Sequence, residues 1–144
     1  MVRIYKSSVI DAPVSKVWAK IRDFNALPGW HPAVADSEIE AGLPSDKVGC
    51  IRNFNLADDG GNIREQLLAH SDIETYYTYS ILESPMPVEG YIAKLKLTEI
   101  TDGDRTFVEW SAEFDTDAES DMRALVGDGV FQGGFDALKQ ALSP

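Results

Sequence analysis

Histidine and cysteine, the side chains best suited to acid–base and nucleophilic chemistry near neutral pH, are scarce in this sequence. There are two histidines, His31 and His70, and one cysteine, Cys50. At those positions they match none of the short ligand spacings that zinc sites use, so no metal is expected. His31 stands in "GWHP", Gly29 to Pro32, between a helical pattern and a strand pattern. An imidazole titrates in the range useful to a general base, but a histidine beside a proline at a chain corner also serves to hold that corner. Cys50 reads as a small buried hydrophobe, and with no second cysteine an intramolecular disulfide is excluded. The glycines of "GDGVFQGG", Gly127 to Gly134, lie inside a helical pattern rather than between a strand and a helix, so they form no phosphate cradle. No cofactor is expected.

The more informative pair is Arg52 and Glu65. Under β alternation Cys50, Arg52, Phe54 and Leu56 share a face, and Ile63, Glu65, Leu67 and Ala69 form the more apolar set of the next strand. Both ionisable residues therefore point to the apolar side, where a charge is tolerated only when paired. A symmetric hairpin through "DDGG", Asp58 to Gly61, with Leu56 opposite Ile63, sets Arg52 against Leu67 and leaves Glu65 one diagonal step away. Such a pair is either a structural tie between strands or an anchor for a ligand. As a general base Glu65 is weakened by the neighbouring cation, which lowers a carboxyl pKa, unless desolvation outweighs the pairing.

These side chains need a sheet to hold them. "VRIYKSSVI", residues 2 to 10, reads as a first strand, and "DAPVSKVWAKIRDF" as a short helix with Pro13 near its first position. "NALPGWHP" ends that helix, and strand-like runs follow at about 33–42, 48–57, 62–70, 74–82, 89–101 and 105–115. From about 118 the period becomes helical, with Leu125, Phe131, Phe135, Leu138 and Leu142 on one broad face. Glycines 127, 129, 133 and 134 cost that helix about 1 kcal/mol each, which points to close packing, a kink or a cavity wall. The expected fold is a single α+β domain over residues 1–144, a curved antiparallel sheet of seven strands gripping a long C-terminal helix. Its inner face carries Tyr77 and Tyr79, then Tyr91, Ala93, Leu95 and Leu97, then Val108, Trp110, Ala112 and Phe114. Large aromatic bodies with polar tips, grouped with Arg52 and Glu65, have the usual make-up of a small-molecule pocket.

Composition narrows the partners. The 144 residues carry a formal charge of −11, which repels nucleic acid and anionic lipid surfaces. No apolar run is long enough to span a membrane, and the N-terminus shows no secretory signal, so a cytoplasmic protein is expected. Monomer and homodimer are both compatible with the sequence.

"IDAPVSKVWAKIRDFNALPGWHP", "VGCIRNFNLADDGGNIREQLLAHSD", "YTYSILESPMPVEGYIAKLKL" and "VEWSAEF" together resemble the START-related, birch-pollen-allergen-like (SRPBCC) superfamily of helix-grip proteins. Within it, the chain is most similar to the bacterial polyketide cyclase/dehydrase and lipid-transport-like group. The resemblance covers nearly the whole chain. It implies two short helices between the first two strands and a deep apolar cavity between the sheet and the long helix. It also implies that Trp30 and His31 lie at a corner near the cavity, with Arg52, Glu65, Tyr79, Tyr91 and Trp110 on its wall. Tyr77 and Phe131 complete the candidate ligand-binding set.

Three functions follow. The first is binding or transport of a small hydrophobic molecule, lipid-, polyketide- or aromatic-like, with a polar or anionic handle held by Arg52. The second is a cyclase, dehydratase or isomerase acting α to a carbonyl, with Glu65 or His31 as base and Arg52 and a tyrosine stabilising an enolate. The third is a protein-interaction module, for which only the acidic surface argues.

Overall fold

In the computed structural model, which describes residues 1–142, seven antiparallel strands form one sheet in the order β1-β7-β6-β5-β4-β3-β2. The strands are β1 (Val2–Ile10), β2 (Val34–Ile39), β3 (Ile51–Leu56), β4 (Asn62–Ser71), β5 (Tyr76–Glu83), β6 (Glu89–Ile100) and β7 (Arg105–Asp115). β2 to β7 form a meander, and β1 pairs back onto β7, so the first two strands occupy opposite edges. The chain crosses between those edges through helix α1 (Val14–Ile21) and a 3-10 turn (Leu27–Gly29). α1 buries Val17, Trp18 and Ile21 and packs against β6, β7 and the C-terminal helix. No helix among the described residues is long and apolar enough to cross a membrane.

Strict alternation in β6 and β7 sends Tyr91, Ala93, Leu95 and Leu97, and Val108, Trp110, Ala112 and Phe114, into the core, as the sequence predicts. β4 departs from that rule. Leu67 pairs with Tyr79 but Ala69 pairs with Thr78, so Leu68 is an extra residue, a β-bulge. The bulge reverses the parity of the strand. Ala69, expected on the inner face, joins the outer row with Thr78, and His70 turns inward opposite Tyr77 and beside the Trp18 ring.

The β3–β4 hairpin also differs from the symmetric expectation. Asp58 and Asp59 both adopt left-handed backbone angles (φ 57° each), which folds Ala57 to Gly60 into a tight loop. Gly61, at φ 103°, stays in the ladder and its carbonyl accepts the Leu56 N–H at 2.8 Å. Phe54 therefore faces Ile63, and Arg52 stands directly opposite Glu65 rather than Leu67.

The C-terminal helix runs as α2 (Glu119–Met122), a π-helical segment (Arg123–Phe131) and α3 (Gln132–Leu142). Wide i→i+5 turns, represented by the Gln132 N–H bonding to the Gly127 carbonyl, shift the buried face to Met122, Val126, Phe131, Phe135 and Leu138. Leu125, expected on that face, is 44% exposed. The glycines mark close approach: a Cβ on Gly134 would lie 2.8 Å from Trp110, 3.1 Å from Trp30 and 3.2 Å from His31.

Candidate functional site

Between the upper sheet and the first half of the C-terminal helix lies a cavity of about 610 Å³, a size that suits a small-molecule ligand. Its floor is sheet: Phe54, Ile63, Ile81 and Trp110. Its other wall is helix: Met122, Leu125, Val126, Gly129 and Val130. Three connections close the rim, namely the corner at His31 to Ala33, the β3–β4 loop at Ala57 to Gly60, and Pro85 to Pro87 between β5 and β6. The rim is bound together. The Ala57 N–H bonds to the Ala33 carbonyl at 2.8 Å, and a Cβ on Gly61 would meet the Pro85 ring at 3.1 Å.

The polar groups gather around Arg52 and Glu65. Arg52 Nε and Nη2 both donate to Glu65 Oε1, at 2.8 and 2.7 Å, and Nη1 donates to the Phe24 carbonyl at 3.1 Å. The guanidinium packs 3.9 Å from the Phe24 ring centroid and 4.8 Å from that of Tyr79. Burial disfavours the Arg52 cation, but the Glu65 charge leads the effects that outweigh it, with the Glu65 hydrogen bond among them, so its pKa is raised. Burial pushes the Glu65 carboxyl above the usual carboxylate range, and Arg52 pulls it back without cancelling the shift.

Above this pair the Tyr79 hydroxyl accepts the Trp110 indole N–H at 3.1 Å. Burial, reinforced by the Glu65 charge, raises the Tyr91 pKa well beyond that of a free phenol, and its hydrogen bond with Tyr79 opposes the rise. Both tyrosines therefore stay protonated and can donate. His31 Nε2–H donates to the Val130 carbonyl at 2.7 Å, and Nδ1 accepts the Ala33 N–H at 3.2 Å. Burial lowers its pKa, Arg52 adds to the shift, and the Val130 carbonyl opposes it. With both ring nitrogens engaged, His31 joins the corner to the helix and has no free nitrogen to act as a base.

Of the nine candidate ligand-binding residues, His31, Arg52, Glu65, Tyr79, Tyr91 and Trp110 line the cavity. Trp30, Tyr77 and Phe131 do not; they form a second layer behind it. Phe131 stacks on Trp110 at 4.5 Å, Trp30 leans on the same ring at 5.8 Å, and Tyr77 packs against Phe24 at 5.8 Å. Aromatic identity and inward direction were visible in the sequence, but which ring shields another was not. Sequence reasoning missed Phe24, which continues the apolar spacing of α1 three residues beyond Ile21, and Met122, Val126 and Val130, whose phase is set by the wide turns.

Residues 1–143 match the family described as "Polyketide cyclase / dehydrase and lipid transport". The chain belongs to that family. Solved structures of the same fold include an uncharacterised protein from Bacillus thuringiensis, 31% identical, with a TM-score of 0.87 over 99% of this chain and 100% of that one. The protein XoxI from Bacillus cereus is 31% identical at a TM-score of 0.86, over 99% and 96% of the two chains. A protein from Nitrosospira multiformis is 30% identical at 0.87, over 99% and 97%. Among curated proteins, none matches this chain. Membership in the polyketide cyclase/dehydrase and lipid transport family supports a hydrophobic ligand-binding fold, the character that the cavity displays.

Proposed function

We propose that this protein binds a small hydrophobic molecule in the cavity, with the apolar part of the ligand between helix and sheet and a polar group of it at the Arg52, Glu65 and Tyr91 end. The observation that carries this reading is the cavity itself. About 610 Å³ of space is walled mostly by apolar side chains, and apart from Asp58 at the rim its charged groups gather at Arg52 and Glu65 beside Tyr91. Uptake of Nile red, an uncharged hydrophobic dye, tests it, together with native mass spectrometry for a co-purifying molecule. Val126→Trp places a large ring in the cavity and is expected to weaken dye binding by about tenfold or more. Absence of both dye uptake and a co-purifying mass would overturn the proposal.

One observation favours a second reading, a cyclase, dehydratase or isomerase acting α to a carbonyl. The raised Glu65 carboxyl lines the cavity beside phenolic donors, an arrangement suited to moving a proton. On that reading Glu65→Gln abolishes turnover of a substrate that still binds.

A further inference from the structure

We propose that the polar end of the cavity receives an uncharged hydrogen-bond donor, a hydroxyl or phenol on an otherwise apolar ligand, and rejects carboxylates. The inference rests on the binding function proposed above and names the class of ligand. Arg52 is the obvious anchor for an acid, but its charge is already met. Glu65 stands opposite it in the ladder, and Phe24 and Tyr79 pack against its guanidinium. Its side chain is 2% exposed, whereas that of Glu65 is 8% exposed.

Both Arg52 contacts converge on Oε1 of Glu65, and no other donor among the described residues reaches the carboxylate. Oε2 receives no donor from the described residues, and Glu65 lines the cavity, so Oε2 is the acceptor a ligand there would meet. Tyr91 supplies a phenolic O–H on the same wall. A ligand hydroxyl can satisfy both, donating to Oε2 and accepting from Tyr91. A ligand carboxylate would meet Oε2 with like charge and could not donate to it. The wider field agrees. Three charged side chains line the cavity, Arg52 against Glu65 and Asp58, within a protein of net charge −11.

Dodecanol and dodecanoate, alike in chain and different in head group, test the proposal as competitors for bound Nile red at a pH where dodecanoate is ionised. Dodecanol is expected to displace the dye at a concentration about tenfold lower, the effect of one hydrogen bond to a charged group. In Glu65→Gln the Arg52 charge loses its partner, and the preference is expected to move toward dodecanoate by about tenfold. Should that variant fail to fold, Tyr91→Phe takes its place, with dodecanol expected to lose affinity relative to dodecanoate. Equal displacement by the two, or stronger displacement by dodecanoate, overturns the inference and leaves the binding function standing. Absence of Nile red binding removes both.

Discussion

Arg64 and Glu65 are neighbours on β4 that face opposite sides of the sheet, and each belongs to an ion pair. On the outer side Arg64 grips Glu40 with two donors on two oxygens, at 2.6 and 2.8 Å, and reaches Glu83 at 3.0 Å. On the inner side Arg52 puts two donors on a single oxygen of Glu65. The better geometry is where solvent already serves the charges, with Arg64 26% exposed. The lopsided pair is where neither charge can escape. The outer pair ties β4 to the turn after β2 through both carboxylate oxygens of Glu40. On the inner side Oε2 receives no Arg52 donor, and the pair gives the cavity a polar end without a net buried charge.

The largest expected effect comes from dismantling the inner pair. Arg52→Met strands a buried carboxylate and is expected to cost about 3 kcal/mol or more in urea unfolding, whereas Arg52→Met with Glu65→Leu recovers much of the loss. A single variant within about 1 kcal/mol of wild type would erase the contrast between the two sides.

A second expected effect is in pH dependence, where the carboxyls have opposite signs. Glu65 binds its proton more tightly folded than unfolded, so its contribution to stability is present below the ordinary carboxylate pKa and is lost as pH rises through its raised folded value. Glu40 is shifted down by its hydrogen bond from Arg64, so its contribution is present above the ordinary value and is lost as pH falls through its lowered one. Stability measured against pH for Glu65→Gln and Glu40→Gln, each relative to wild type, is expected to show differences of opposite slope. Parallel slopes would mean that the two faces hold their charges alike. The smallest effect is that of Arg64→Met, a minor loss in the same unfolding experiment that diminishes with added salt.

Much of the fold was legible because alternation in β6 and β7 is unbroken, and Tyr91 to Leu97 and Val108 to Phe114 could be assigned inward without a partner in view. The pairing of Arg52 with Glu65 was legible as a need for compensation, but not in its register. Two consecutive left-handed aspartates set that register, and nothing obliges Asp to adopt such angles. Leu125 lines the cavity but stays outside the buried face of the helix, because a 3.6-residue period does not apply across Arg123–Phe131. Which aromatics touch the cavity depends on ring-on-ring shielding between distant elements, as with Phe131 behind Trp110.

The bulge at Leu68 means that β4 is read in two frames. Ile63, Glu65 and Leu67 face inward on odd numbers, and His70 follows them inward on an even one, placed against Trp18 with its Nε2 3.1 Å from Asp72. The first frame serves the chamber, and the second serves the sealed end of the barrel-like grip beneath α1. Deleting Leu68 would restore a single frame, and His70 and everything after it in the strand would have to shift register or turn outward while Glu65 kept its place. One surplus residue thus lets a single strand line a ligand chamber and close the packed end beside it, each in its own phase.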